Sequence, residues 1–196
     1  TVNIYYSTDA NAGTPTWTTL TPGPGTDNTG SFLWTPIPGA SADLDADLRL
    51  KITQQTPDNT AVTLNGAGTP FVIKAQITVT EPTGSGSESW GLLSSQNIKF
   101  TKKGALGTVD IYYAADGSSY GASPINATPL DVSLLADDTV YTYAWTIPSN
   151  TTLSTGYSAK VKVKAVTPAA QATALAQGIS AGGFQVKGGI SSVLPS

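Results

Sequence analysis

The sequence repeats itself, and the repeat limits the fold more than any other feature. Thr1-Val2-Asn3-Ile4-Tyr5-Tyr6 recurs 107 residues later as Thr108-Val109-Asp110-Ile111-Tyr112-Tyr113. Phe32-Leu33-Trp34-Thr35 recurs as Tyr143-Ala144-Trp145-Thr146, and Leu48-Arg49-Leu50-Lys51-Ile52 as Ala159-Lys160-Val161-Lys162-Val163, both 111 residues on. Pro57 matches Pro168, Phe71–Lys74 matches Phe184–Lys187, and Ile77–Pro82 matches Ile190–Pro195. Matches that keep their order while the spacing slowly grows imply a duplication with small loop insertions.

The repeated segments have the period of strands. Val109, Ile111 and Tyr113 alternate with Asp110 and Tyr112, and Ile98 and Phe100 with Lys99 and Thr101. Val161 and Val163 alternate with Lys160, Lys162 and Lys164, while Tyr141, Tyr143 and Trp145 share one face. Each run is short and bounded by Gly, Pro, Asn or Asp. About seven such strands in about 110 residues predict an all-β fold of two tandem immunoglobulin-like (fibronectin-III-like) β-sandwiches. Trp34 and Trp145 fall at equivalent strand positions and are expected in the two cores, with Trp90 at the base of the second. The one exception to strand pattern is 168–177. Thr167 can cap a helix there, Pro168 suits the first helical position, the Ala-rich run favours helix, and Gly178 can end it.

Several pieces together carry a family resemblance: Ile77-Thr-Val-Thr-Glu-Pro82, Glu88-Ser89-Trp90, Gln96–Thr101, Val109–Tyr113, Tyr143-Ala-Trp-Thr-Ile-Pro148, Ala159–Val163 and Gly183-Phe-Gln-Val186. In this order they resemble the KNH-like, Ser/Thr-rich immunoglobulin-like repeat of fungal cell-wall proteins and long bacterial surface proteins. The resemblance covers one full repeat and most of another. It implies a sandwich fold and a cell-surface role, and it supplies no catalytic residues.

The alignment also exposes a gap. Nothing in the first repeat matches Gly84–Gly107, which holds Trp90 and the strand Gln96–Thr101. Residues 1–75 therefore read as a domain lacking its opening strands, 76–189 as a complete domain, and 190–196 as the start of a linker or a donor strand. Strand Thr1–Ser7 is expected to have an unpaired edge and an uncovered apolar face, which invite pairing with another chain. Two explanations stand side by side. The chain is a piece of a longer repeat array, as its lack of an initiator Met also suggests, or another subunit completes the first domain.

Composition excludes whole classes of chemistry. With no His and no Cys, this chain cannot form a Ser-His-Asp triad, a Cys nucleophile, a His/Cys zinc site, an iron–sulfur cluster or a disulfide framework. The 10 Lys+Arg against 13 Asp+Glu, with a single Arg, argue against nucleic acid. No segment reaches the length of a membrane helix, and no signal-peptide pattern opens the sequence. The Thr/Ser/Asn/Gly-rich, Lys-poor composition suits an extracellular β-protein. No nucleophile–base set stands out, so no enzyme activity and no cofactor are expected.

The remaining candidates are sites of contact. Asp43, Asp45 and Asp47 alternate and could chelate calcium, against the plainer reading of a solvated loop. Thr1, Val2, Ile4 and Tyr6, with Ile190, Val193 and Leu194 at the other end, are candidates for strand exchange between copies. Lys160, Lys162 and Lys164 form one strand face, and residues 1–80 carry six Asp against three basic residues, so opposite charges could steer head-to-tail contact. Trp17, with no aromatic match near Gly121–Ser123, and Tyr112 could stack on a sugar. Asn126 and Asn150 begin glycosylation sequons. A Lys–Asn isopeptide bond would need a buried Lys beside an acid; Lys99 and Lys102 have opposite strand parity, so at least one could face inward, and nothing in the sequence selects which. The expected function is a structural subunit of a cell-surface filament, stalk or layer, whose partners are copies of itself or adjacent repeats. The alternatives are an adhesive or carbohydrate-binding module, or a passive spacer from a longer array.

Overall fold

The computed structural model describes residues 1–10, 12–39, 48–55, 59–65, 70–173 and 176–188. The fold is all-β and divides into two compact units, Thr1–Lys74 and Ala75–Ser196. In the first unit β1 (Val2–Ser7), β2 (Thr18–Thr19), β3 (Arg49–Gln54) and β4 (Asn59–Asn65) form one antiparallel sheet in the order β2-β1-β3-β4. Ile4, Tyr6 and Leu48 are buried on one of its faces.

The second unit has more layers. β5 (Gln76–Glu81), β7 (Ser95–Lys103) and β10 (Tyr141–Thr146) form a sheet in the order β10-β7-β5. β8 (Thr108–Ala114), β9 (Leu130–Asp131), β11 (Lys160–Thr167) and β12 (Gln177–Ile179) form another, β12-β11-β8-β9. β6 (Ser89–Gly91) and β13 (Gln185–Lys187) make a short parallel pair. Period-two alternation points Ile77, Val79, Ile98 and Phe100 from the first sheet, and Val109, Ile111, Val161 and Val163 from the second, into one buried core. Trp90 and Trp145 join Phe184 there, with ring centroids 4.2 Å (Trp90–Phe184) and 6.2 Å (Trp90–Trp145) apart. Two sheets that share a core in this way are consistent with a β-sandwich.

The duplication is visible in the main chain. Ile4 O accepts from Leu20 N as Ile111 O accepts from Ile125 N, each at 2.8 Å. Ile4 N donates to Thr21 Oγ1 at 2.9 Å, and Ile111 N to Asn126 Oδ1 at 2.7 Å. Leu48 and Phe71 exchange two main-chain bonds, as do Ala159 and Phe184. Equivalent residues therefore close equivalent bonds although the intervening loops differ in length.

Three expectations are corrected. The edge of β1 away from β3 is not open. Val2 exchanges two bonds with Thr26, Ile4 uses Leu20 and Thr21, and Tyr5 and Tyr6 pair with β2. The chain after β1 folds back and satisfies those groups itself, because a half-buried strand edge cannot be left without partners. The helix α1 (Ala169–Thr173) is shorter than 168–177, since Gln177 and Gly178 belong to β12 and pair with Lys164 and Val163. Thr167 does not cap it. Its Oγ1 accepts from Thr108 N at 2.8 Å as the end of β11, and Pro168 O receives the first helical bonds. Gln171, fully buried on α1, accepts from Ala75 N at 2.6 Å and so ties the helix to the start of β5.

Candidate functional site

The repeat makes the two units comparable residue by residue, and the comparison locates an open face on the first. In the second unit, Tyr141–Thr146 lie on β10 and pair along their length with Ser95–Phe100 of β7. Among the described residues, the matching segment of the first unit meets no strand. Phe32, Leu33, Trp34 and Thr35 are outside any strand and make no main-chain hydrogen bond with another described residue. Leu33 is 81% and Ile37 60% exposed. The inner part of the motif is nevertheless in place. Trp34 lies 5.1 Å from Tyr6 and 6.2 Å from Phe71, as Trp145 lies 5.4 Å from Tyr113. Trp145 is 3% exposed beneath Trp90, whereas Trp34 is only half-buried. A small hollow lined by Val2, Ile4, Ile52 and Phe32 marks the same face. Ile4 and Tyr6 are buried and Val2 half-buried, so the apolar face of β1 is partly covered, chiefly from Thr26 to Trp34.

On the opposite face of each sheet a lysine sits between two aromatic rings. Lys51 Nζ lies 4.7 Å from the Tyr5 ring centroid and 4.6 Å from that of Trp17. Lys162 Nζ lies 5.2 Å from Tyr112 and 4.1 Å from Tyr120. Trp17 therefore has a spatial counterpart, Tyr120, which linear matching misses because the ring follows its tyrosine by twelve residues in one repeat and by eight in the other. The rings of Trp17 and Tyr112 are half-buried and each carries an ammonium group at one face. Lys160 and Lys164 flank Lys162 on the same side, and burial together with Lys164 pushes the Lys162 pKa down.

A cleft of about 650 Å³ opens in the second unit, lined by parts of β8, β10 and the loops that follow them. Tyr113, Trp145, Pro124, Ile125 and Pro148 give it apolar walls, and Asp116, Ser119, Ser123, Asn150, Thr151 and Thr152 give it polar ones. Tyr113 donates its hydroxyl to Thr152 O at 2.8 Å, which ties β8 to the 148–152 turn, and burial pushes its phenol up to about 12. The Ser119 hydroxyl and N–H, with the Ser118 N–H, hold the Asp116 carboxyl well below the usual carboxylate range. Its Oδ1 accepts the Ser118 N–H at 2.9 Å and the Ser119 N–H at 2.7 Å.

Other candidates have structural roles or fall outside view. Asn126 is 2% exposed. Its Oδ1 accepts from Ile111 N, and its Nδ2 donates to Asp110 Oδ1 and Thr128 O. A glycan on Nδ2 would break that bracket, so the sequon at Asn126 is a structural turn, while Asn150 is exposed at the cleft. Of the two lysines of opposite parity, Lys102 is the inward one. It is 5% exposed and bonded to Asp137 Oδ1 and Gly104 O, each at 3.1 Å, while Lys99 pairs with Glu81 at 3.0 Å. Thr1 O accepts from Gln55 N. Asp43, Asp45, Asp47, Ile190, Val193 and Leu194 lie outside the described residues. Comparison with family models, with curated proteins and with solved structures returned no match for this chain.

Proposed function

We propose that this chain is a structural subunit of an extracellular or cell-surface filament, stalk or layer. In this reading it is built of two tandem immunoglobulin-like domains of the KNH-like repeat kind, 1–75 and 76–189. The first domain lacks its opening strands, and strands of a neighbour close it, either from a copy of the chain or from an adjacent repeat of a longer one. In the same reading, residues 190–196 are the start of a linker or a donor strand. The extracellular setting rests on the Thr/Ser/Asn-rich composition and the family resemblance.

The observation that carries the reading is the main chain of Phe32–Thr35, which makes no main-chain hydrogen bond among the described residues, beside a half-buried Trp34. The same segment in the second unit is a paired strand over a closed core. Apolar side chains and unpaired amides presented together are what an added strand satisfies, through main-chain bonds and alternate side chains at once. Contact between two different surfaces generates an open filament wherever the rotation between copies does not close into a ring.

Negative-stain electron microscopy of the protein as isolated from its source tests this. Regular filaments or sheets are the expected result. Separate small particles would overturn self-assembly and leave a passive spacer.

A further inference from the structure

We infer that the cleft between the loops after β8 and β10 is a binding site for a saccharide without negative charge. This inference stands apart from the assembly reading, because every residue in it belongs to the second unit.

Three features of the cleft lead there. Its size falls within the range of small-ligand sites, about 300–1,000 Å³. Its surface is amphipathic in a particular way. Rings and prolines (Tyr113, Trp145, Pro124, Pro148) form one part, and hydroxyl, amide and carboxylate groups form the other. A pyranose has the same division, with C–H groups on its faces and hydroxyls at its edge. The third feature is charge. Among the described residues that line the cleft, Asp116 is the one charged side chain. A carboxylate there accepts hydrogen bonds from sugar hydroxyls and repels carboxylated, sulfated or phosphorylated ligands.

The site is also held ready. Asp116 is exposed, yet the N–H groups of Ser118 and Ser119 fix its carboxylate, which retains lone pairs for further donors. The bond from Tyr113 to Thr152 O ties β8 to the 148–152 turn, which also lines the cleft. Asn150, exposed at the edge, adds an amide that can both donate and accept. A preformed cleft spares the ligand the cost of ordering its walls.

Titration of the full chain with glucose, galactose, N-acetylglucosamine and galacturonate, followed by amide NMR, tests the inference. At least one uncharged sugar is expected to shift the amides of 113–123 and 148–152 saturably, with a dissociation constant on the order of millimolar. Galacturonate should bind at least about tenfold more weakly than galactose, as expected for an unpaired anion beside Asp116. Asp116→Asn should weaken the uncharged sugar and narrow the gap to galacturonate, while Asp9→Asn in the first unit changes neither. Asn150→Ala, which leaves the Asp116 turn intact, should also weaken binding and guards against misfolding of the first variant. If no uncharged sugar shifts these amides at about 0.1 M, some tenfold or more above the expected constant, the inference is overturned. Equal binding of galacturonate and galactose, or unchanged binding in both variants, would overturn it as well.

Discussion

At the scale of residues, stability rests on a few close approaches. Gly178 on β12 lies against the main chain of Ile77 on β5, where an added Cβ would run into the Ile77 carbonyl. Gly178→Ala is therefore expected to destabilise the second unit by about 1–3 kcal/mol, as overpacking does. Gly91→Ala, with nothing within 4 Å of the new Cβ, should leave the transition unchanged. Chemical denaturation of the two variants checks this. Lys102 and Asp137 give a pH dependence. The Gly104 N–H has the largest influence and lowers the Asp137 pKa below its usual 3.8; burial opposes it, and the Lys102 hydrogen bond and the charges of Lys102 and Lys103 lower it further. A depressed carboxylate stabilises the fold fully above its unfolded pKa, and the contribution is lost as pH falls through the folded value. Thermal midpoints should thus drop below about pH 4. Asp137→Asn should show a lower midpoint at neutral pH and a shallower acid slope, because the buried Lys102 has lost its counter-charge.

At the scale of elements, the second core depends on the pairing of β6 with β13. That pair holds Trp90 opposite Val186 and brings its ring onto Phe184 and Trp145. Glu88 Oε1 accepts from Trp90 Nε1 at 3.2 Å, so the indole is buried without an unmet donor. Trp90→Ala is expected to cost about 3–5 kcal/mol, the usual range for removing a buried aromatic. Exposure of Trp145, read by fluorescence, should accompany it. The first unit offers a natural comparison: without an equivalent of Gly84–Gly107, its Trp34 is half-buried rather than buried.

At the scale of the whole molecule, the two units share a sheet pattern and differ in closure. A peptide of the sequence Ser95–Lys103, added to the full chain, is expected to slow amide exchange at Phe32, Leu33, Trp34 and Thr35. The same peptide with Ile98→Asn and Phe100→Asn should have no effect, because its inward side chains would be polar. Protection by both peptides, or by neither, would mean that the open face is no strand acceptor.

The all-β class and the internal duplication could be read from the sequence alone. So could the inward faces of β7, β8 and β11 and the burial of Trp90 and Trp145, whereas Trp34, expected on a strand in the first core, lies outside any strand and is only half-buried. Period-two alternation is local, and an order-preserving repeat needs no knowledge of contacts. Pairing is not local, and only the tertiary structure decided it. Nothing in the composition of Thr18–Thr26 announced that these residues would close the edge of β1. The placement of Tyr120 opposite Trp17 came from loops that differ by four residues and still bring a ring to the same lysine. Thr167 read as a helix cap because its neighbours favour helix, but strand pairing with Thr108 outweighed that preference. Asn126 read as a sequon because three letters match, and burial made it a bracket for Ile111. The cleft, with side chains drawn from two strands and two distant loops, has no linear signature. It exists only where folding brings Asp116 and Asn150 to one opening.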